Sequence, residues 1–417
     1  MVKPCRSRRV CNSRSADDPE GPPVSITEAY DVIAIGGAVI GSSVAYYLAA
    51  DPDFSGKILV VEKDPSYQRC ASALSAAGIR QQYSSAINIH ISLYGIEFLR
   101  QIGEALEVDG DRPDIQLHEG GYLFLATEEN RPILKENHAL QTKLGADILF
   151  LEPLDLVERF PWLSVEGLSA GCWGRTGEGW FDGYGLMQAF RRKAQALGVI
   201  YRSAAATGVE RTGDRISAVM LDDGTRISCG IVVNAAGAGG PTIARAAGLE
   251  IPVHNKKRMI FTFKCYDEVR CCPLLIDPTG VYVRPEGQGY LCGVAPPADA
   301  DPDSDDFEVD YSFFDEHIWP VLAARVPAFE RLKTGRAWAG HYDMNVFDHN
   351  AFVGLAPGIA NFYLANGFSG HGIQQAPAIG RGISELIIHR RYMTLDLSPL
   401  SFDRVLHNTP LLERNVV

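Results

Sequence analysis

The chain has 417 residues, of which 46% are hydrophobic and 22% are charged, and its formal net charge is −12. A single hydrophobic core seldom grows to this length, so we expect two domains. The excess of acids disfavours a nucleic-acid partner, because little positive charge is available to neutralise phosphates. The nine cysteines are an odd number without C-x-x-C pairing, which indicates free thiols rather than a disulfide framework or a zinc site.

The first 28 residues differ from the rest of the chain. Basic residues and serines precede the first acid, Asp17, and several prolines follow it. This composition predicts a disordered tail. An Arg- and Ser-rich, acid-poor beginning also resembles a mitochondrial presequence, although Pro4 and the scarcity of apolar residues disfavour an amphipathic helix. Both alternatives, a flexible tail and a targeting peptide, stay open.

A dinucleotide-binding unit is predicted from residue 30 onward. Residues 30–35 form a short apolar run, typical of a strand buried on both faces. Residues 36–41 turn the chain into a helix over 42–50, and a second strand follows over 57–61. Residues 32–50 contain no charged side chain, but the glycines within them favour a strand, a turn and a helix over a membrane span. We therefore expect that the protein is not integral to a membrane.

The glycine turn of this unit predicts where a dinucleotide binds. Gly36 permits the tight turn, and Gly41 lets the helix approach the sheet. The amides and the positive dipole end of the helix favour a pyrophosphate. Glu62 ends the second strand and can accept hydrogen bonds from ribose hydroxyls. An acid at this position also disfavours the 2′-phosphate of NADP. Ala38 replaces the middle glycine of the pattern, and the turn alone does not distinguish FAD from NAD. The cofactor residues predicted from this unit are Gly36, Gly37, Ala38, Val39, Ile40, Gly41, Glu62 and Lys63.

Six further motifs resemble one known family. They are ASALSAAGIRQQYS at 71–84, EGWFD at 178–182, IVVNAAGAG at 231–239, RPEG at 284–287, WAGHY at 338–342 and GFSGHGIQ at 367–374. Together with the glycine turn, they resemble the D-amino-acid oxidase family of flavoenzymes, which includes glycine oxidase, sarcosine oxidase and dimethylglycine dehydrogenase. Within the family they are most similar to a subgroup that contains a protein linked to mitochondrial complex I assembly and its bacterial relatives.

The resemblance implies an α/β (α+β) fold with a Rossmann-like FAD-binding domain and a second, mixed-sheet substrate domain. The FAD-binding domain is expected from residues 29–115, 184–250 and 340–417, and the substrate domain from residues 116–183 and 251–339. The sequence itself predicts a helix over 184–197 with Asp182 as its N-cap, and a hairpin turn at Asp223-Gly224. Strands are expected around 199–203, 215–221, 226–233, 259–264, 281–284 and 290–294.

By resemblance, the loop 367–372 lies at the pyrimidine edge of the flavin. The helix predicted from 373 to about 389 then presents its N-terminus there and stabilises negative charge on the reduced flavin. Ser75 and Gly340 stand where relatives carry the histidine or the cysteine that bonds FAD covalently, so we expect noncovalent FAD. The cofactor residues implied by the resemblance are Ser72, Ser75, Gly78, Val209, Ala236, Gly237, Gly367, Ser369, Gly370, His371, Gly372 and Gln374.

The substrate side is predicted first from a strand. Alternation along 280–284 places Tyr282 and Arg284 on one face, which by resemblance looks into the substrate cavity. Tyr282 stands where glycine oxidase has an aromatic wall. Arg284 is expected either to clamp a substrate carboxylate or to form a structural ion pair with Glu286, and both alternatives stay open.

Five more residues are candidates for the substrate site. Arg80 and Tyr342 are expected near the substrate, and Tyr342 stands where glycine oxidase has its carboxylate-binding arginine. Gln374 replaces the lysine that holds the carboxylate in sarcosine oxidases. His341 and His371 are the candidates for deprotonating the substrate ammonium. His371 is also expected either to contact the flavin or to be a buried, hydrogen-bonded histidine.

These residues predict an enzyme that oxidises a C–N bond of a small amine or amino acid by hydride transfer to FAD. Leu291 replaces the lysine thought to activate oxygen in sarcosine oxidases. A dehydrogenase is therefore favoured over an oxidase, and the expected electron acceptor is a quinone, another flavoprotein or oxygen.

Two other hypotheses stay open. One is an FAD-stabilised assembly factor for respiratory complex I, with a respiratory-chain partner and little or no catalysis. The other is an NAD-dependent dehydrogenase without flavin. We expect a cytoplasmic protein if the chain is bacterial, and alternatively a protein of the mitochondrial matrix. The acidic stretch 301–306 lacks the glycine of a calcium loop and is predicted to be a solvated surface loop.

Overall fold

The computed structural model describes residues 28–414, and apart from Glu28 the predicted tail lies outside the described residues. The strands are β1 (Ala29–Ile35), β2 (Ile58–Glu62), β3 (Gly78–Ile79), β4 (Tyr122–Ala126), β5 (Ile148–Leu151), β6 (Ala170–Gly174), β7 (Gly179–Trp180), β8 (Ile200–Ser203), β9 (Ala206–Thr212), β10 (Arg215–Leu221), β11 (Arg226–Asn234), β12 (Val253–Cys265), β13 (Leu274–Ile276), β14 (Tyr282–Glu286), β15 (Gly289–Gly293), β16 (Leu332–Asn345), β17 (Phe352–Leu355) and β18 (Phe362–Asn366).

The helices are α1 (Val39–Ala50), α2 (Ala71–Leu74), α3 (Ala86–Arg100), α4 (Ile102–Ala105), α5 (Arg131–Lys143), α6 (Pro153–Arg159), α7 (Gly183–Ala196), α8 (Gly240–Ala246), α9 (Tyr311–Phe313), α10 (Trp319–Arg325), α11 (Gly372–His389) and α12 (Asp403–Leu406). Across residues 28–414, none of them has both the length and the apolar composition that crossing a membrane requires.

The first sheet has eight strands with a parallel centre. Its main order is β17-β18-β11-β1-β2-β8, and β10 joins β11 with β9 beyond it. β1 pairs in parallel with β2 and β11, β2 with β8, and β11 with β18. α1 connects β1 to β2 on one face, which is the Rossmann-like arrangement. The fold class predicted from the sequence is confirmed.

The two central strands are buried on both faces, which explains their continuous apolar sequence. Val32 and Val60 face the core that contains α1, α7 and α11. The alternate residues Ile33 and Leu59 face the core that contains α8 and β10. Each such side chain contributes roughly 1.5–3 kcal/mol by leaving water. The sheet therefore fixes the carboxyl ends of β1 and β2, where the glycine turn and Glu62 lie.

The second sheet is mixed and has the order β16-β12-β15-β14-β13-β4-β6-β5. β13 and β4 are parallel, and the other pairs are antiparallel. β16 begins in the predicted substrate domain and continues to Asn345, beyond the boundary expected at residue 340. The division of the chain into domains stays a prediction.

The predicted elements are found with shifted ends. The helix at 184–197 is α7, and the Asp182 carboxylate accepts the amide N–H of Gly185 at 2.9 Å, as a cap should. α1 begins at Val39 rather than at residue 42, because the glycine turn is shorter than expected. β12 begins at Val253 rather than near 259, because its first residues have polar side chains although their backbone pairs with β16. β9 was not predicted, since none of its residues is fully buried and its apolar pattern is weak.

Candidate cofactor and substrate site

The glycine turn between β1 and α1 is held by close backbone approaches. Gly36 has φ +98°, and a Cβ atom there would lie 2.3 Å from the carbonyl oxygen of Ala235. A Cβ atom on Gly41 would lie 1.8 Å from the carbonyl oxygen of Gly36. Only glycine fits at both positions. α1 begins after Ala38 without a capping side chain and without an acid in its first turn. Of the first amides of α1, that of Val39 donates to the Ser72 hydroxyl, and the next ones are available to an anion.

The carboxylate of Glu62 is fixed at the end of β2. One oxygen accepts the amide N–H of Gly37 and the other accepts that of Asp64, each at 2.8 Å. A carboxylate has lone pairs beyond these two bonds. Glu62 can therefore accept hydroxyl donors from a ribose while it holds the turn in place.

A cavity of about 930 Å³ runs from this turn to the loop that follows β18. Its walls include most of the predicted cofactor residues and two substrate candidates. These residues are Gly36, Ala38, Val39, Ile40, Glu62, Lys63, Ser72, Ser75, Ala236, Gly237, Gly370 and Gly372, with His341 and Tyr342. The volume lies within the range of ligand and cofactor sites. A dinucleotide whose pyrophosphate meets the α1 amides and whose ribose meets Glu62 fits these residues.

Gly78 and Val209 are among the predicted cofactor residues that do not line the cavity, whereas Ser72 does. Ser72, on the wall, accepts the amide N–H of Val39 through its hydroxyl at 3.3 Å. Gly78 is in β3, where a Cβ atom would lie 1.8 Å from the hydroxyl oxygen of Tyr122. Val209 is in β9, half-buried against the core that contains α8 and β10, and it does not line the cavity. The assignment of Val209 to the cofactor stays a prediction that the described contacts do not support.

The loop 367–372 is tied to β16 by Asp343, a residue that the sequence analysis did not identify. Its carboxylate accepts the amide N–H of Gly367 at 2.7 Å, and its carbonyl oxygen accepts that of Ser369 at 3.1 Å. Gly367 and Gly370 have φ +76° and +88°, and Ser369 has φ +52°. Asp343 is buried and lines the cavity, and burial raises its pKa to about 6. Its only sequence signal was its position directly after the WAGHY motif.

Arg80 is a buried cation beside the cavity. It is 6% exposed, and its Nη2 lies 3.1 Å from Nε2 of His371. Its guanidinium carbon lies 4.7 Å from the ring centre of Tyr83 and 5.4 Å from that of Phe124. The buried Nε has no hydrogen-bond partner, and no carboxylate within residues 28–414 forms an ion pair with this guanidinium, although the charges of Glu413 and Glu178 act on it from farther away. Burial and the charge of Arg80 hold the pKa of His371 well below 6.5, so its imidazole is neutral.

The side chain of Gln374 forms hydrogen bonds with the segment that carries Arg80, and it does not line the cavity. Its side-chain oxygen accepts the amide N–H of Arg80 at 2.9 Å, and its amide nitrogen donates to the hydroxyl of Tyr83. Tyr83 also meets the imidazole of His371 edge to face, with ring centres 5.3 Å apart. The residue that replaces the lysine of sarcosine oxidases thus fixes the backbone of Arg80 and the hydroxyl of Tyr83, both of which belong to residues that contact His371.

The two candidates on β14 have different surroundings. Arg284 donates from Nε and Nη2 to the carbonyl oxygen of Ala76, at 3.1 and 2.8 Å, and from Nη1 to the Glu286 carboxylate. Its donors are therefore engaged, which favours the structural ion pair over a substrate clamp. Tyr282 is half-buried, and burial, followed by the charge of Tyr342, raises its pKa. Tyr282 therefore lies near Tyr342, which lines the cavity, but Tyr282 does not line it.

The acidic stretch is exposed, but it is not free in solvent. Its acids pair with basic side chains of β12: Asp301 with Arg258, Asp303 with His254 and Lys256, and Asp306 with Lys257. The Nε2 atom of His341 lies 2.7 Å from the carbonyl oxygen of Asp306, and its ring lies 4.2 Å from that of Phe307. Asp305 and Phe307 line the cavity. The stretch therefore covers one side of the cavity, which its acidic composition alone did not predict.

Known proteins with similar sequences point to one family. The family model described as "DAO: FAD dependent oxidoreductase" matches residues 31–386. "FAD-dependent oxidoreductase domain-containing protein 1" of Xenopus laevis is 42% identical over 425 positions, which cover 94% of this chain and 85% of that protein. Mitochondrial dimethylglycine dehydrogenase of Homo sapiens is 26% identical over 413 positions, which cover 93% of this chain and 46% of that protein.

Solved structures show the same fold. L-proline dehydrogenase from P. horikoshii superposes with a TM-score of 0.82 at 26% identity, over 92% of this chain and 100% of that chain. Glycine oxidase from Geobacillus kaustophilus superposes with a TM-score of 0.77 at 22% identity, over 90% of this chain and 98% of that chain. The matched range spans the glycine turn, Glu62 and the loop 367–372, which together form the cofactor cavity. The chain therefore belongs to the DAO family of FAD-dependent oxidoreductases, and FAD is its cofactor.

Proposed function

We propose that this chain oxidises the C–N bond of a small amine that carries a carboxylate, such as an amino acid or an N-substituted amino acid. The observation that carries the proposal is the Arg80 guanidinium, which is buried beside the cofactor cavity and donates to no carboxylate of residues 28–414; Glu413 and Glu178 act on its charge only from beyond ion-pair distance. Burying an unpaired charge costs several kcal/mol, on the order of 3–5 when a partner is missing. A substrate carboxylate supplies the missing partner and offsets this cost.

The neighbours of Arg80 fit a carboxylate-bearing substrate. Tyr83 and Phe124 flank its guanidinium, so water has little access and the charge acts in a low dielectric. His371 is neutral and accepts one N–H of Arg80, which orients the remaining donors. Tyr342 lines the cavity, and it is close enough to Arg80 for the guanidinium charge to act on its phenol.

Catalysis depends more on the orientation of the substrate than on acid or base side chains. FAD, when bound, accepts a hydride from the carbon next to the amine nitrogen. Arg80 anchors the carboxylate, and the tyrosines of the pocket exclude water from the reacting carbon. Because His371 is neutral and already accepts a hydrogen bond, we propose that it positions Arg80 rather than removing the ammonium proton. His341 lies on the cavity wall and stays a candidate for that base.

We further propose noncovalent FAD and a dehydrogenase rather than an oxidase. Ser75 and Gly340 offer no histidine or cysteine for a covalent bond. Leu291 is an apolar residue, 2% exposed, where an oxygen-activating lysine is expected in sarcosine oxidases. The similarity to an L-proline dehydrogenase supports this reading. A quinone or another flavoprotein then receives the electrons, and oxygen does so slowly.

The proposal is tested by the visible spectrum of the purified protein without oxygen. Proline, sarcosine, dimethylglycine and D-amino acids are added in turn, and bleaching of the flavin band by at least one of them is the expected result. A flavin band that no amine of the panel bleaches would contradict the proposal and favour a stabilising role for FAD, as in an assembly factor. A colourless protein that binds no added FAD would contradict the cofactor itself.

A further inference from the structure

The segment that carries Arg80 has no regular hydrogen bonding of its own. After β3 the chain runs through residues 80–85 without helix or strand, and the next helix, α3, begins at Ala86. The amide N–H groups of Arg80, Gln81 and Gln82 therefore need partners from elsewhere. Gln374 supplies the first of them, as described above. The other two are supplied by a single side chain.

That side chain is Glu178, which precedes β7 and has no exposed surface. One carboxylate oxygen accepts the amide N–H of Gln81 at 2.5 Å and that of Gln82 at 3.1 Å. The other oxygen accepts the side-chain amide of Gln82 at 2.8 Å. Three hydrogen bonds from two successive residues leave the segment little freedom, because carboxylate acceptors form the stronger class of hydrogen bond.

The residues around Glu178 leave a restricted space for its carboxylate. A Cβ atom on Gly174 would lie 1.9 Å from one of its carboxylate oxygens, so that position requires a residue without a side chain. Burial raises the pKa of Glu178 to about 7. A buried acid without an ion pair is costly. Within residues 28–414 the carboxylate hydrogen bonds of Glu178 all go to Gln81 and Gln82, which follow Arg80, and this indicates that its side chain serves this segment.

We propose that Glu178 is a positioning residue that holds the 80–82 backbone so that the Arg80 guanidinium meets the substrate carboxylate. The proposal rests on the function proposed above. It assigns a role to a residue that contacts neither the cofactor cavity nor the guanidinium. The hydrogen-bond acceptors of Glu178 carry this role, because their partners are amide N–H groups, whereas its charge acts on Arg80 only from beyond ion-pair distance. A glutamine at this position keeps an oxygen acceptor for Gln81 and Gln82.

The chain offers a matched control for Glu178. Glu119 is an acid close to Glu178: its carboxylate accepts the amide N–H of Gly177 at 2.7 Å and pairs with Arg100. Glu119 thus holds the residue next to Glu178, but none of its described hydrogen bonds reaches residues 80–82. Glu119→Ala removes a nearby acid that forms no direct hydrogen bond with residues 80–82; within residues 28–414 its only hydrogen-bonded link to them is Gly177, whose carbonyl oxygen accepts the side-chain amide of Gln81.

The test measures ligand affinity without turnover. Furan-2-carboxylate and furan-2-carboxamide differ at the carboxylate, and neither has an amine to oxidise. Each is titrated into the FAD-loaded protein, and the change in the flavin spectrum gives its Kd. In the natural protein the carboxylate is expected to bind more tightly than the carboxamide. Equal binding would contradict the Arg80 anchor itself, which separates failure of the proposed function from failure of the positioning role.

Glu178→Ala is expected to weaken carboxylate binding at least about tenfold and to change carboxamide binding by less than about threefold. Glu178→Gln is expected to restore most of the carboxylate affinity, and Glu119→Ala to behave like the natural protein. Equal weakening of both ligands, or no weakening of either, would overturn the proposal. If Glu178→Ala yields no folded protein, Glu178→Asp takes its place. It keeps the charge but withdraws the acceptors by one methylene, and the same selective loss of carboxylate binding is expected.

Discussion

The Nη2 atom of Arg80 lies 3.1 Å from the Nε2 atom of His371, and this contact joins the two halves of the candidate substrate site. Arg80 follows β3, while His371 immediately precedes α11. The contact requires Nε2 to accept, since the guanidinium only donates. It therefore fixes a neutral imidazole, in agreement with the low pKa of His371. The Arg80 guanidinium therefore keeps N–H groups that donate to no carboxylate within residues 28–414.

Arg80→Met is expected to weaken the use of carboxylate-bearing amines selectively. Two charge-assisted hydrogen bonds contribute about 3 kcal/mol, so the apparent Kd for proline in flavin reduction should rise roughly 100-fold. The control is pyrrolidine, which is proline without its carboxylate. Its weak reduction of the flavin should be the same in both proteins. A variant that loses both activities equally would show that Arg80 supports the fold rather than the carboxylate.

The pH profile of flavin reduction distinguishes a positioning role of His371 from a role as base. The pKa of His371 is depressed well below its ordinary value by burial and by Arg80, so the imidazole is already neutral where the substrate ammonium loses its proton. The rate should rise with pH as the substrate ammonium loses its proton. His371→Asn should lower affinity for the substrate but keep the midpoint of this profile. If the midpoint disappears in the variant, His371 is the base after all.

Asp343 is expected to make the stability of the protein depend on pH. Its pKa is raised from 3.8 to about 6 by burial, so the folded state holds a proton in a range where the unfolded state has lost it. Stability from this group is therefore gained as the pH falls from 6 towards 4, and ionisation above pH 6 costs the folded state about 3 kcal/mol.

Asp343→Asn removes this ionisation and keeps an oxygen acceptor for Gly367. Its melting temperature should exceed that of the natural protein at pH 8, and the difference should shrink as the pH is lowered to 4. The contribution of His371 to the same range cancels in this comparison, since both proteins contain it. A difference that stays constant over the whole range would contradict the assignment.

Gly41→Ala is expected to prevent stable FAD binding. The new methyl group would lie 1.8 Å from the carbonyl oxygen of Gly36, so α1 must move away from the turn. FAD retained per protein after gel filtration is the measurement. The control is Gly103→Ala in α4, where the nearest atom would lie 3.6 Å from the new methyl group. Equal FAD content in both variants would show that the turn tolerates a side chain.

The sequence predicted the cofactor half of the site because its signals are local. Gly36, Gly41 and Glu62 are fixed by the order of one strand, one helix and one strand, and such order is visible in a short stretch of sequence. The same holds for α7, whose cap and apolar period lie within fifteen residues. These elements could be placed without knowledge of the rest of the chain.

The substrate half depends on contacts between distant residues, which the sequence does not reveal. Arg284 was the predicted clamp and Arg80 a further candidate near the substrate, and only their partners in the structure separate them. Ala76 and Glu286 engage Arg284, while His371 leaves Arg80 donors free. Glu178 lies 96 residues from Gln82 along the chain, so no local pattern could assign its hydrogen bonds. The sequence did not indicate the buried position of Asp343, because acidic side chains are mostly exposed.

The most direct measurement of the central claim is the stoichiometry and isotope effect of flavin reduction by a carboxylate-bearing amine without oxygen. One equivalent of substrate should bleach one equivalent of FAD and yield the imine or its hydrolysis products. Deuterium on the carbon next to nitrogen should slow the bleaching several-fold, because that C–H bond breaks in the hydride transfer. Bleaching that is indifferent to this deuterium, or that consumes no amine, would contradict the account.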